Sequence, residues 1–152
     1  MPLYNDPHFY RLLASSYARL LGKALAPEHL SEAEAATWLY EDAPYAILAH
    51  NTAPDPVFIY GNKAAQRRFE YDWDEITRLP SRLSAEAPNR EERQRFLERV
   101  RTFGFESGYQ GVRITRSGRR FMIEEATLWQ LEDEHGTVHG QAVIIPRTAE
   151  ID

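Results

Sequence analysis

No cysteine occurs anywhere in the 152-residue sequence. That removes disulfides, thiolate nucleophiles and thiolate-held metals together. No apolar run comes near the roughly 18 residues that a membrane-spanning helix needs. The opening Met1-Pro2-Leu3-Tyr4-Asn5-Asp6 lacks the basic and apolar regions of a secretory signal. A soluble, cytoplasmic chain without membrane contact is expected. Lysine is scarce: 16 of the 18 cationic side chains are arginine, and the net charge is −5. An acidic chain without a basic tail is a poor independent binder of nucleic acid, because phosphate neutralisation dominates that affinity.

Catalytic signatures are missing as well. There is no glycine-rich phosphate loop, and neither Ser15-Ser16 nor Ser81 sits in a nucleophile-elbow context. Glu124 and Glu125 are adjacent on a strand, so local geometry points them to opposite faces. His135 and His139 flank a hairpin turn, and no second cluster supports them as metal ligands. The reading is non-enzymatic, with no catalytic residues, no metal and no assigned cofactor.

What is present suits one folded core: 43% of residues are apolar and 12% aromatic, at a length typical of one domain. Asp6-Pro7 can open a helix in which Phe9, Leu13, Tyr17, Leu20 and Leu21 make a broad apolar stripe through about Leu25. Ser31-Glu32-Ala33-Glu34 has capping-box spacing for a second helix to about Glu41. Short strands are then expected at Tyr45–His50 and Val57–Tyr60. Asn62 caps a helix over Lys63–Phe69, and Asp72 opens another short one. Asn89 is expected to cap the longest helix, Arg90–Phe103, with Gly104 at its end. Three strands follow. Val112 and Ile114 share a face in Gln110–Arg116; Phe121, Ile123, Trp129 and Leu131 share one in Arg119–Leu131; and the last runs from Val138 to Ile145.

The order α-α, then β-β-α-α-α-β-β-β, specifies an α+β fold: a five-stranded antiparallel sheet with helices on one face, preceded by two N-terminal helices. Those two helices are the natural cover for the other face, in cis or across a dimer. The division expected is an N-terminal helical extension over 1–41, a domain over 42–147 and a tail over 148–152.

That order is also the order of PAS domains, and Tyr60-Gly61-Asn62-Lys63-Ala64-Ala65-Gln66-Arg67-Arg68-Phe69 resembles the PAS segment in which an Asn caps the helix after the second strand. The chain further resembles the MEKHLA family, PAS-related domains found alone in bacteria and at the C-terminus of some plant homeodomain–leucine-zipper transcription factors. The carrying segments are Leu79 to Glu86, Arg90-Glu91-Glu92-Arg93, Tyr109-Gln110-Gly111-Val112-Arg113-Ile114, Gly118-Arg119-Arg120-Phe121 and Gly140-Gln141-Ala142, within about Asp42 to Pro146. The resemblance implies a PAS-like fold and a role in sensing or partner association, as a stand-alone bacterial member. Haem-binding PAS domains use a His on the long helix, and Arg90–Phe103 has none. A flavin photoadduct needs a Cys, which leaves only noncovalent flavin open.

The candidate pocket residues are Arg93, His50, Phe58, Tyr60, Phe96 and Trp129. Arg93 falls between Leu97 and Val100 on the apolar face of its helix, where a charge is costly unless paired. It is either an anchor gripping a carboxylate or phosphate, or a structural residue that pairs with an acid such as Glu124 or Glu125 or with carbonyls, or snorkels to the edge of the apolar face. Arg113 and Arg120 are expected in cross-strand ion pairs on the exposed face of the sheet, with a binding surface as the sharper alternative. The functional expectation is a sensory or regulatory module that binds a small molecule, signals through protein association, or both. Its expected partners are a second copy of itself, paired through the first helix, and an unknown effector. The alternatives are a pure dimerisation or adaptor domain with a filled core, and a small-molecule enzyme with a perturbed His50 or carboxylate in an open cavity.

Overall fold

Asp6 starts the first helix as expected: its carboxylate accepts the His8 backbone N–H at 2.9 Å, and α1 runs over Pro7–Leu21. It stops short of Leu25 because Gly22 takes a left-handed φ of 69° and caps it. Ser31 and Glu34 complete the reciprocal capping box that opens α2 (Glu32–Glu41). β1 (Ala46–His50), β2 (Phe58–Gly61), α3 (Lys63–Phe69) and α4 (Trp73–Ile76) follow, then α5 (Ala87–Phe103), which begins ahead of Asn89. The last strands are β3 (Phe105–Ile114), β4 (Arg120–Glu132), β5 (Val138–Ile145) and β6 (Arg147–Glu150). The computed structural model describes residues 2–151, with the backbone alone at residues 87 and 88. Met1 and Asp152, the ends of the expected extension and tail, lie outside the described residues.

The strands form one antiparallel sheet in the order β2-β1-β5-β4-β3, and β6 continues along β4 beyond Pro146. β6 is a strand beyond the five expected. One face carries a core of Leu48, Phe69, Ile76, Val100, Phe121 and Ile123, closed by α3 and α5. The other carries Leu13, Tyr17, Leu39, Ile47, Trp129 and Leu131 under α1 and α2. The N-terminal helices thus cover the sheet in cis. The Trp129 indole N–H donates to Ser16 Oγ at 3.0 Å, and Leu13 is fully buried while Leu20 is half-buried.

Asn62 does more than cap α3. Its Oδ1 accepts the N–H groups of Ala65 (3.1 Å) and Ile47 (3.0 Å), and its Nδ2 donates to the carbonyls of Leu39 and Tyr45, each at 3.0 Å. The side chain is fully buried, so one amide ties α2, β1 and α3 together with its full bonding capacity met.

Two irregularities overturn the expected strand faces. In β1–β2 the register slips between Ala49 and His50: Ala49 pairs with Tyr60 but His50 with Phe58, leaving Ile59 as the extra residue. Phe58 therefore joins the α5-side core and Tyr60 the opposite one. In β4 the register slips between Ala126 and Ile123, and Glu125 sits at φ 53°. Phe121 and Ile123 face α5, whereas Trp129 and Leu131 face α1. A one-residue bulge reverses side-chain parity, so strict alternation fails beyond it. In β3, Tyr109, Gly111 and Arg113 are the buried positions and Val112 and Ile114 only half-buried, the reverse of the expected face.

Candidate functional site

α5 crosses the sheet at a distance set by Phe96, Leu97 and Val100, and an internal cavity of about 40 Å³ remains beneath it. Its lining is apolar apart from six polar side chains: Arg93 from α5, Arg113 and Tyr109 from β3, His50 from β1, Gln141 from β5 and Ser84 from the turn before α5. Arg93 and Arg113 are each only 7% exposed. Two guanidinium groups therefore face one small cavity.

β3 is shaped to hold Arg113 there. Its Nη2 donates to the Tyr109 hydroxyl at 3.0 Å and its Nη1 to the Val112 carbonyl at 2.9 Å. A side chain at Gly111 would obstruct this: an added Cβ would stand 2.5 Å from the Tyr109 hydroxyl and 3.0 Å from Arg113 Nη1. Tyr-x-Gly-x-Arg on one strand places all three residues on the same face, with the glycine making room for the bond. Phe96 packs on the Tyr109 ring, with centroids 3.8 Å apart.

Arg93 differs from Arg113. Among the described residues it forms no ion pair and no side-chain hydrogen bond. Glu125, one of its expected partners, is exposed and pairs with Arg147 at 2.8 Å. Arg120, expected on the same exposed face as Arg113, pairs instead with Glu86 at 3.5 Å. Burial draws the Arg93 guanidinium down to about 10, and the neighbouring charge of Arg113 acts in the same direction, with Tyr109 opposing it. It stays charged at neutral pH.

His50 and Gln141 are cross-strand partners in β1 and β5. His50 Nδ1 lies 2.9 Å from the Asn51 carbonyl, which can only accept, so Nδ1 carries the proton and Nε2 is a bare acceptor. Burial lowers the imidazole to about 4; the Asn51 bond opposes this, and the charges of Arg93 and Arg101 add to it. Gln141 Nε2 donates to the Leu97 carbonyl at 3.1 Å, which leaves its Oε1 facing away from that bond. Both His50 Nε2 and Gln141 Oε1 are buried without a hydrogen-bond partner among the described residues. His50, Leu97 and Gln141 also wall an open groove of about 660 Å³ that includes Gln94, Arg101 and Gln130. These three residues separate cavity from groove.

Of the six sequence candidates, Arg93, His50, Phe58 and Phe96 meet at this cavity. Tyr60 and Trp129 lie on the opposite face, in the core under α1 and α2. Tyr109 and Gln141 were not singled out, and Arg113 was expected on the exposed face of the sheet; all three sit in segments that carry the family resemblance. Four of those segments, Leu79 to Glu86 through Ser84, Arg90 to Arg93, Tyr109 to Ile114 and Gly140 to Ala142, converge here. Among the described residues no group of three or more His, Asp or Glu is placed to hold a metal, and no helix is long and apolar enough to cross a membrane.

An antiparallel sheet in this order, helices α3 to α5 on one face and a cavity under the longest helix define a PAS-type domain. Solved structures share the fold. The chain is similar to a PAS domain of a protein from Colwellia psychrerythraea (TM-score 0.61, 15% identity, 74% of this chain and 90% of that one). It is also similar to a fungal light-oxygen-voltage photoreceptor domain (0.60, 16%, 91% and 88%) and to a PAS domain of a two-component sensor histidine kinase (0.56, 19%, 75% and 91%). At these identities the likeness concerns the fold alone. A model of the MEKHLA domain matches residues 7–149, and the chain belongs to that family. No curated protein matches it in sequence.

Flavin, which some proteins of this fold hold, does not fit these residues. A cavity of about 40 Å³ is far below the roughly 300–1,000 Å³ of sites for drug-sized molecules.

Proposed function

We propose that the chain is a non-enzymatic sensory or regulatory module that holds a small polar molecule in the cavity under α5 and reports its presence through protein association. The observation that carries this reading is a pair of buried acceptors without a hydrogen-bond partner among the described residues, His50 Nε2 and Gln141 Oε1, lining one cavity with the largely buried Arg93. Buried polar groups are nearly always satisfied, and each exception calls for an occupant or a use. The corner where Leu20 meets Gly104, beside Phe103 at 68% exposure, is the surface we favour for association, with a second copy or with an effector.

His50 is perturbed, as a catalytic base would be, but its direction argues against that role. A base with a pKa near 4 has little tendency to take a proton at neutral pH. Of the two hydroxyls in the lining, Ser84 donates to the Ser81 carbonyl at 2.7 Å and Tyr109 accepts from Arg113 at 3.0 Å. A second reading, an adaptor with a filled core, is favoured by the small volume of the cavity.

Native mass spectrometry of freshly purified protein, repeated after denaturation, separates the two. A mass excess that disappears on denaturation supports the sensory module. A clean polypeptide mass with a concentration-dependent dimer supports the adaptor.

A further inference from the structure

We infer that the cavity under α5 selects a small oxyanion that also carries a hydroxyl group. This rests on the sensory reading above and adds the chemistry of the occupant.

The anionic end follows from Arg93 and Arg113. Two buried guanidinium groups line one cavity with no carboxylate among its lining residues. Arg113 is anchored by Tyr109 and the Val112 carbonyl, and Arg93 by nothing among the described residues. An anion would pair with Arg93 and relieve the repulsion between the two, and a guanidinium matches the geometry of an oxyanion.

The hydroxyl follows from the opposite pair of groups. His50 Nε2 and Gln141 Oε1 are both acceptors, and both lack donors. A bare carboxylate would set its own lone pairs against theirs, so the occupant must donate at that end. An ammonium would also donate, but it would add a third positive charge beside two uncompensated ones. A hydroxyl donates without that charge. A cavity of about 40 Å³ has room for on the order of three water molecules, which limits the occupant to about three to five non-hydrogen atoms. Bicarbonate, hydrogen phosphate and a two-carbon hydroxy acid share this chemistry. The open groove lies immediately on the other side of His50, Leu97 and Gln141.

The test uses the full chain in HEPES at constant ionic strength, with binding read by thermal shift and calorimetry. Glycolate is compared with acetate, which lacks the hydroxyl, and with glycolamide, which lacks the charge. Bicarbonate and phosphate are separate arms that distinguish inorganic from organic sources. Glycolate, or one of the inorganic hydroxylated anions, is expected to bind. Glycolate should exceed acetate by about ten- to a hundredfold in Kd, as expected when two buried acceptors are left without a donor. Arg93→Met should weaken the bound anion by at least about tenfold, and His50→Phe should narrow the gap between glycolate and acetate.

Equal binding of glycolate and acetate overturns the inference, as does binding of glycolamide as tight as that of glycolate. Both results leave the sensory reading standing. If no anion binds and native mass spectrometry finds a neutral occupant, the inference falls alone. If no anion binds and the native mass is that of the bare chain, both fall. Because Arg93→Met removes an unpaired buried charge, that variant is expected to fold.

Discussion

Replacing Arg93 by methionine should stabilise the empty protein, which is the opposite of what breaking a structural ion pair does. The side chain is 7% exposed and has no counter-ion among the described residues. Its guanidinium falls from its ordinary value to about 10. The unfolded chain therefore binds the proton more tightly than the folded one. The penalty is complete at every pH below about 10 and is relieved only as the pH rises from there toward the ordinary guanidinium range. Each pKa unit corresponds to about 1.4 kcal/mol, so holding the charge costs on the order of 3 kcal/mol at neutral pH. Methionine keeps an unbranched apolar stem but fills less space, which returns part of that gain. A net stabilisation of about 1–2 kcal/mol is expected. For a chain of this size that is a rise of about 2–8 °C in Tm, measured by near-ultraviolet circular dichroism in buffer free of organic acids and phosphate. A fall matching the roughly 3–5 kcal/mol lost on breaking a buried ion pair would refute the reasoning, since Arg93 would then be compensated in the resting protein.

Three further outcomes follow from the same geometry. His50 is neutral and buried, with a folded value of about 4 against 6.5 when free. Its contribution is complete above about pH 6.5 and is lost as the pH falls toward 4, so urea denaturation should show about 2 kcal/mol less stability at pH 5 than at pH 7 from this group, and His50→Phe should flatten that slope. An unchanged slope in the variant would mean that other groups govern acid sensitivity. Gly140 has φ 149°, and an added Cβ would lie 1.9 Å from the His50 carbonyl oxygen; Gly140→Ala should cost about 3 kcal/mol or more in thermal unfolding, and a neutral result would refute the close approach of β1 and β5. Asn62→Ala leaves four backbone groups, three of them in buried bonds, without their partner and should cost about 3–5 kcal/mol by chemical denaturation, whereas Asn62 acting only as a helix cap predicts about 1 kcal/mol.

The two capping boxes, the Asn62 cap and the order of elements were legible in the sequence because each is a local signal: a short polar side chain with a matching partner three residues on, or an apolar period that changes at a turn. The sheet faces were legible only as far as the first bulge. Tyr60 and Trp129 were both assigned to the pocket by counting in twos from Phe58 and from Phe121. In each case one inserted residue, Ile59 or the left-handed Glu125, carried the side chain to the opposite core. Neither bulge is marked by glycine at the inserted position, so nothing local announces it.

Arg113 was placed on the wrong face for a different reason. A charged residue alternating with Val112 and Ile114 reads as the solvent side of a strand, and burial of a guanidinium runs against every composition-based expectation. What reverses that reading is nonlocal: Phe121 opposite Arg113 belongs to the α5-side core, and the gap at Gly111 lets Tyr109 bond the guanidinium from within the strand. A strand that spends a tyrosine hydroxyl and a glycine on fixing an arginine beside a second, unpaired one gains no stability from the pair itself. Apolar residues of similar volume at positions 93 and 113 would make a more stable core. The same local rule is broken at His50 and Gln141, whose free acceptors would likewise be better replaced by apolar atoms if packing were all they served. Four departures from the expected core chemistry lie on four different elements and meet in one cavity of about 40 Å³. Departures of this kind concentrate where a molecule is recognised, and their convergence is the reason for placing the proposed occupant under α5 rather than in the aromatic core beneath α1.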